Sequence, residues 1–366
     1  MYVLLILSAF ALSALLASLI IPRIILIAMR KRLFDIPDER KVHTKAIPRL
    51  GGVAFFPIAT FSLYFLLSVF LLTRQLGLDY VNFIPELLLL VCGMTALYLT
   101  GLADDLLGVR YRSKFMIQVF CAALLPLSGV WINSLYGLFG IYGLPALVGI
   151  PLTMFMVVFI TNAINLIDGI DGLASGLSSV ALLILSVLFF LRGNIIYPTM
   201  AMAMLGVLVS FFYYNVFGSA EHAKKIFMGD TGSLTLGYML SFMVIKYSHW
   251  EEGMDVDAGS PFLMAFSTLI IPAFDVVRVV LVRLRNGQSP FLPDRNHIHH
   301  KLLDMGLTTR RAMVLLLCMA GVLSVGNILL MHCVGHTLLL VLNIVLWIGI
   351  NLYWDYLRDK RKGCGK

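Results

Sequence analysis

The chain has 366 residues, of which 60% are hydrophobic and 13% charged, against roughly 45–50% and 25% in soluble domains. A water-soluble fold of this size cannot hide that much apolar surface, so an integral membrane protein is expected. The formal net charge of +8 is read as a membrane-topology signal with some attraction to anionic lipid, and no nucleic-acid partner is expected.

Eleven apolar runs follow one another: 2–29, 51–73, 86–103, 115–133, 143–161, 173–191, 198–217, 232–248, 260–282, 312–332 and 336–355. About 20 apolar residues in a helix cross the bilayer with every backbone group bonded internally. The expected fold class is therefore an all-α polytopic integral membrane protein of about 11 transmembrane helices. No linker or soluble-length polar stretch interrupts the runs, which predicts a single membrane-embedded domain over 1–366. The first run lacks a basic start and exceeds the roughly 7–15-residue core of a cleaved signal, so it reads as a retained span.

Residues 30–49, 104–114, 218–231, 283–311 and 356–366 collect nearly all the lysines and arginines. The opposite set holds Arg74, Arg192 and Lys246, with Glu251, Glu252, Asp255 and Asp257 in one acidic loop. Positive charge marks the cytoplasmic side. The N-terminus is thus expected outside and the C-terminus in the cytoplasm, which requires an odd number of spans. The five cysteines contain no CxxC pair and read as small buried apolar residues.

Five polar clusters punctuate the runs, all on the basic-loop side. Lys45 and Arg49 can meet phosphate, and Gly51-Gly52 would let backbone N–H groups approach a ligand. Asp104-Asp105 ends the third run, where a carboxylate at bilayer depth costs roughly 2.5–3.5 kcal/mol and needs a cation or water. In Asn162-Ala-Ile-Asn165-Leu-Ile-Asp168-Gly169-Ile-Asp171-Gly172, spacings of three would place consecutive members of Asn165, Asp168 and Asp171 near one another on a helical turn, and Gly169 and Gly172 predict that the helix ends or bends here. Their hard oxygens suit Mg²⁺, and the loop carries no lysine or arginine to balance its two acids.

The fourth cluster, Phe227-Met-Gly-Asp230-Thr-Gly-Ser233, puts a carboxylate in a glycine-flanked loop opening a helix. There Asp230 can hold a metal-bound diphosphate or favour the helix dipole, and Ser233 can cap. The fifth is Asp294-Arg295-Asn296-His297-Ile298-His299-His300-Lys301, a cationic donor set for an anion, with zinc and an idle surface loop as competing readings. Upstream, Asp275 and Arg278 read as a buried ion pair or a further site element. No GxSxG, Ser-His-Asp spacing or Walker loop is present. Acids, amides and cations without a nucleophile suit phosphoryl chemistry, where positioning and charge stabilisation dominate. A secondary transporter is the rival from another class. It is disfavoured because no inverted repeat is visible and the clusters lie at one face rather than the midplane.

Together these motifs resemble the polyprenyl-phosphate N-acetylhexosamine-1-phosphate transferases, a glycosyltransferase 4-type family that includes MraY. The likeness covers nearly the whole chain, in order. His297-Ile-His299-His300 resembles the WecA/TagO-like branch, which implies transfer of N-acetylglucosamine-1-phosphate from UDP-GlcNAc to undecaprenyl phosphate with release of UMP. The product would begin an envelope glycan such as O-antigen, enterobacterial common antigen or teichoic acid. Alternatives within the family are UDP-GalNAc, a diamino sugar or the MurNAc-pentapeptide donor. The resemblance implies Mg²⁺, with Mn²⁺ as the alternative ion, held by Asn165 and Asp230. Asp171 and Phe227 would hold uracil, the ring by stacking. Lys45 and His297, His299 and His300 would engage the donor's phosphate and sugar, with Asn162 and Arg295 also expected in the substrate site. Asp104 and Asp105 would lie beside the lipid phosphate, with Asp168 near the metal. An inner-membrane protein with a cytoplasmic active site is implied, and a homodimer is left open.

Overall fold

A computed structural model describes residues 1–35, 47–73, 83–219, 224–251, 259–289 and 296–364. Thirteen helices carry the described fold: α1 (Tyr2–Lys31), α2 (Phe55–Leu72), α3 (Ile84–Leu107), α4 (Tyr111–Leu127), α5 (Ala146–Ile167), α6 (Leu173–Leu191), α7 (Ile196–Phe212), α8 (Gly229–Ser248), α9 (Pro261–Ser267), α10 (Ile270–Arg285), α11 (Ile298–Asp304), α12 (Thr309–Leu330) and α13 (His336–Cys364). All eleven apolar runs fall on helices, but among the described residues eight helices are both long and apolar enough to cross a membrane. Counting α9 and α10 as one span, bent by 79°, makes nine.

The two runs outside that set are α4, with 17 residues, and α8, which is the less apolar for a physical reason. Residues Thr231 to Ile245 of α8 are buried against α2, α3, α5, α6 and α9. Its hydroxyls bond to its own backbone, Thr235 to the Thr231 carbonyl at 2.7 Å and Ser241 to that of Gly237 at 2.9 Å. A helix that meets protein rather than lipid needs small residues more than hydropathy.

The all-α expectation needs one amendment. Strands β1 (Phe34–Asp35) and β2 (Ile47–Pro48) pair antiparallel, as do β3 (Ser134–Leu138) and β4 (Ile141–Gly143). The β3–β4 turn has positive φ at Phe139 (53°) and Gly140 (76°), as a tight hairpin requires. The Tyr136 hydroxyl donates to the Ser248 carbonyl at 3.1 Å, and Thr337 accepts from the Phe139 amide at 2.8 Å. The hairpin therefore covers the C-terminal end of α8 and the start of α13. Near the same end of α8, buried Glu86 is balanced by Lys246 at 3.1 Å.

The site occupies the opposite end. There α1 runs into β1, and β2 adjoins the loop before α8, since the Phe227 amide donates to the Pro48 carbonyl at 2.8 Å. The C-terminal part of α13 reaches the same end through Asp355, 2.9 Å from Lys301 in α11. The start of α1 thus lies at the other end of the assembly.

Candidate active site

Two loops close against each other to build the floor. The amides of Gly51 and Gly52 donate to the carbonyls of Phe227 and Met228 at 2.9 and 2.8 Å. These N–H groups were expected to meet a ligand; they instead join the β2–α2 turn to the start of α8. A Cβ on Gly52 would lie 2.1 Å from the Gly232 nitrogen, so only glycine permits the contact. Asp105, in the last turn of α3, accepts from the amides of Asp230 and Thr231, both at 2.9 Å, and from the Thr231 hydroxyl at 2.6 Å. Its carboxylate satisfies the free N–H groups of the first turn of α8, where negative charge is favoured. Ser233 does not cap; its hydroxyl accepts from Asn165 Nδ2 at 2.8 Å.

Asp104, one residue earlier, turns elsewhere. It accepts from the Val109 amide at 2.6 Å and from Lys114 Nζ at 2.8 Å. Lys114 also bonds Asp230, which in turn accepts from Asn165 Nδ2 at 3.0 Å. One lysine of α4 thereby links the ends of α3, α5 and α8. Sequence reasoning missed it, counting Lys114 only among the topology charges. A signal existed: Gln118, one turn further along α4, accepts from Asn162 Nδ2 at 2.6 Å, so Lys114 and Gln118 mark a polar face toward α5.

The Asn165–Asp168–Asp171 spacing is not one helical face. α5 ends at Ile167 and α6 starts at Leu173, leaving Asp168 and Asp171 in the connecting turn. Asp171 does have a cationic partner, Lys225 at 2.6 Å, contrary to the expectation from the loop's own composition. The Gly172 amide donates to Asn215 Oδ1 at 2.6 Å, and Asn215 Nδ2 to the Ile226 carbonyl at 2.8 Å, tying this turn to the Phe227 loop. Crowding protein and the charges of Asp230, Asp171 and Asp105 raise the Asp168 carboxyl above its usual range, while Arg49 acts in the opposite sense. Asp168 itself stays open to water at this turn.

The histidines do not form a uniformly cationic patch. His299 is 1% exposed, and neither ring nitrogen has a hydrogen-bond partner among the described residues. Burial, followed by the neighbouring His300, pushes it down to about 3, so it is neutral at physiological pH. Its ring lies against Gly169, where a Cβ would sit 2.1 Å from Nε2, which brings α11 to the Asp168 turn. The His297 and His299 rings are nearly parallel, 5.9 Å apart, and His300 lies 4.3 Å from His299. Asp275 and Arg278 do pair, at 3.0 Å. Lys45 and Arg295 lie outside the described residues.

Asp104, Asp105, Asn162, Asn165, Asp168, Asp171, Phe227, Asp230 and His299 thus meet at one end of the bundle. Among the described residues no three His, Cys, Asp or Glu form a ready metal cage. The donor set nevertheless fits a hard cation, because Mg²⁺ typically takes one or two protein oxygens plus substrate phosphates. Asp230 and the Asn165 carbonyl oxygen supply those. Carboxylates interleaved with Lys114, Lys225 and Arg49 can orient anionic groups and offset charge, with no nucleophile among them.

Residues 87–248 match the family model of glycosyl transferase family 4. A protein of Bacillus subtilis (strain 168), named probable undecaprenyl-phosphate N-acetylglucosaminyl 1-phosphate transferase, is 29% identical over 88% of this chain and 84% of its own length. The decaprenyl-phosphate N-acetylglucosaminephosphotransferase of Mycolicibacterium smegmatis is 32% identical over 79% of this chain and 73% of its own. The undecaprenyl-phosphate alpha-N-acetylglucosaminyl 1-phosphate transferase of Salmonella typhimurium is 31% identical over 81% and 76%.

Proposed function

Since the chain belongs to glycosyl transferase family 4, we propose that it transfers N-acetylglucosamine-1-phosphate from UDP-GlcNAc to undecaprenyl phosphate, releasing UMP. The observation that carries this reading is Lys114, which bridges Asp104 and Asp230 beside Asn165. It places one cation between the elements expected to receive the lipid phosphate and the sugar diphosphate.

An oxygen of the acceptor phosphate bonds to the donor's β-phosphorus as the bond from that phosphorus to the oxygen bridging the α-phosphate breaks. UMP leaves with the bridging oxygen, and the lipid carries the new sugar diphosphate. A phosphate monoester has a second pKa of about 6, so the nucleophile is already largely dianionic at pH 7 and needs no strong base. Lys114 exchanges a carboxylate partner for the acceptor phosphate, and Asp104 orients that lysine. Asp105 holds the first turn of α8, and with it Asp230. Asp171 and Phe227 bind the uracil, Asn162 steadies α5 against α4, and His297 and His300 engage the donor's phosphate and sugar, as would Lys45 and Arg295, which lie outside the described residues. Asp230 and Asn165 would hold Mg²⁺, with Mn²⁺ as the alternative, and the ion when bound would offset negative charge on the diphosphate.

The protein crosses the inner membrane eleven times, with its N-terminus outside and its C-terminus and active site in the cytoplasm. Support comes from the positive-inside bias, from a helix on every apolar run, and from α1 and α13 both finishing at the site end. The product begins an envelope glycan.

The test is turnover by the purified full chain with undecaprenyl phosphate, UDP-GlcNAc labelled at the β-phosphate, and Mg²⁺ or EDTA. Label entering lipid with UMP released, and loss of both in EDTA, is expected. Transfer from another UDP-sugar only would overturn the donor assignment, and no transfer from any would overturn the function.

A further inference from the structure

Asp275 of α10 has no solvent exposure, and the proposed reaction gives it no task. Its two oxygens are engaged separately. Oδ1 accepts from the Ile298 amide at 2.9 Å and from Arg278 Nη2 at 3.0 Å. Among the described residues, Oδ2 has one partner, the His297 ring, at 2.8 Å from Nδ1. The first oxygen thus caps α11 and meets the arginine, while the second is reserved for an imidazole. A carboxylate surrounded by three such groups is an acceptor only, so Nδ1 of His297 must carry the proton. Nε2 is then the atom His297 has left for other contacts. The His299 ring lies nearly parallel to that of His297, at 8° with the centroids 5.9 Å apart, and itself rests on Gly169 beside Asp168.

A plain buried ion pair would not need this division. Arg278 already lies one turn away on the same helix and its side chain is 17% exposed, so it can neutralise Asp275 with no histidine present. We propose that Asp275 is a positioning residue for the transfer reaction: it holds His297 as the Nδ1-protonated ring, so that Nε2 is presented to the donor's diphosphate. The proposal rests on the phosphotransfer reading above.

The two roles of Asp275 separate in Asp275→Asn. The amide oxygen can still accept from Ile298 and Arg278, but the NH₂ group now donates to Nδ1 and inverts the tautomer, as an Asp→Asn change does beside a catalytic histidine. Asp275→Asn, His297→Gln and the double variant would be assayed as full chains in nanodiscs, with thermal unfolding as the check on folding. Asp275→Asn is expected to lower kcat by about 100-fold, the scale of a misplaced reacting group, with the KM for undecaprenyl phosphate unchanged. In the His297→Gln background it should cost less than about twofold further, because both changes remove the same contact. Losses that multiply, or a fully active single variant, overturn the proposal.

A second readout is independent of turnover. ¹⁵N NMR of histidine-labelled protein, with His297→Gln for assignment and at a pH where the ring is neutral, should show Nδ1–H at His297 in the unsubstituted protein. Nε2–H there overturns the proposal even if Asp275→Asn fails to fold. An unsubstituted protein that transfers no sugar phosphate defeats the proposed function, while its spectra still decide the role of Asp275.

Discussion

Replacing Lys114 by methionine removes the cation that α4 supplies to both Asp104 and Asp230 while keeping most of the side chain's length. The lysine sits 2.8 Å from Asp104, and the side chains of Lys114, Asp104 and Asp230 are 19%, 19% and 26% exposed. A hydrogen bond to a charged group contributes about 1.5–3 kcal/mol. At this limited exposure the upper part of that range applies, since two carboxylates would then face an approaching dianionic phosphate without a counter-charge. A loss of about 3 kcal/mol corresponds to about 150-fold in kcat/KM. The assay varies undecaprenyl phosphate at saturating UDP-GlcNAc, then the reverse. The loss should fall on the acceptor, with the donor KM nearly unchanged, and Lys114→Arg should recover part of the rate. A folded Lys114→Met protein working within threefold of the unsubstituted enzyme would refute the bridging role. A defect confined to the donor KM would refute the assignment of Lys114 to the lipid phosphate.

Asp104→Asn should slow transfer by at least about tenfold through the loosened lysine, at all pH values alike. If raising the pH restored the rate, Asp104 would be a base instead of an orienter. Gly52→Ala forces a Cβ to 2.1 Å from the Gly232 backbone, where no flexible side chain can yield. Destabilisation at or above the usual overpacking cost of about 1–3 kcal/mol should appear as a lower unfolding temperature in detergent, and an unchanged one would mean the loops can part. His299, held down to about 3 against about 6.5 unfolded, binds its proton less readily when folded. Its contribution is therefore complete above about pH 6.5 and is lost as pH falls toward 3, by several kcal/mol at the limit on the order-of-magnitude rule of ~1.4 kcal/mol per unit. Unfolding temperatures between pH 7 and 4 should fall less steeply for His299→Phe than for the unsubstituted chain; parallel curves would show that His299 does not titrate in this way.

The membrane class, the helix on each apolar run and the glycine break after α5 were legible because each depends on local composition. Each of the eleven apolar runs marks helical chain, while how many are apolar enough for lipid depends on packing: α8 is shielded by five neighbours and so carries threonines and serines that lower its hydropathy. The hairpin at residues 134–143 escaped notice because it sits between two runs and owes its shape to two left-handed turn residues. At the site, Asp104, Asn165, Asp168, Asp171 and Asp230 were recognisable as acids and amides at helix ends. The partners that set their chemistry were not, since Lys114 is remote in sequence from Asp230, and Lys225 from Asp171.

By itself, the sequence determined what the lipid environment and short-range geometry dictate: apolar stretches that must be helical in hydrocarbon, basic loops, and five polar clusters gathered on one set of loops. Only the tertiary structure decided the division of labour within that set. Asp105 became a helix cap while its neighbour Asp104 met a lysine, and His299 became a buried neutral ring while His297 met a carboxylate. The physical reason is that adjacent residues of identical type differ only in what they face. In a low-dielectric boundary region the nearest charges and N–H groups govern a carboxylate or imidazole, and those come from distant parts of the chain.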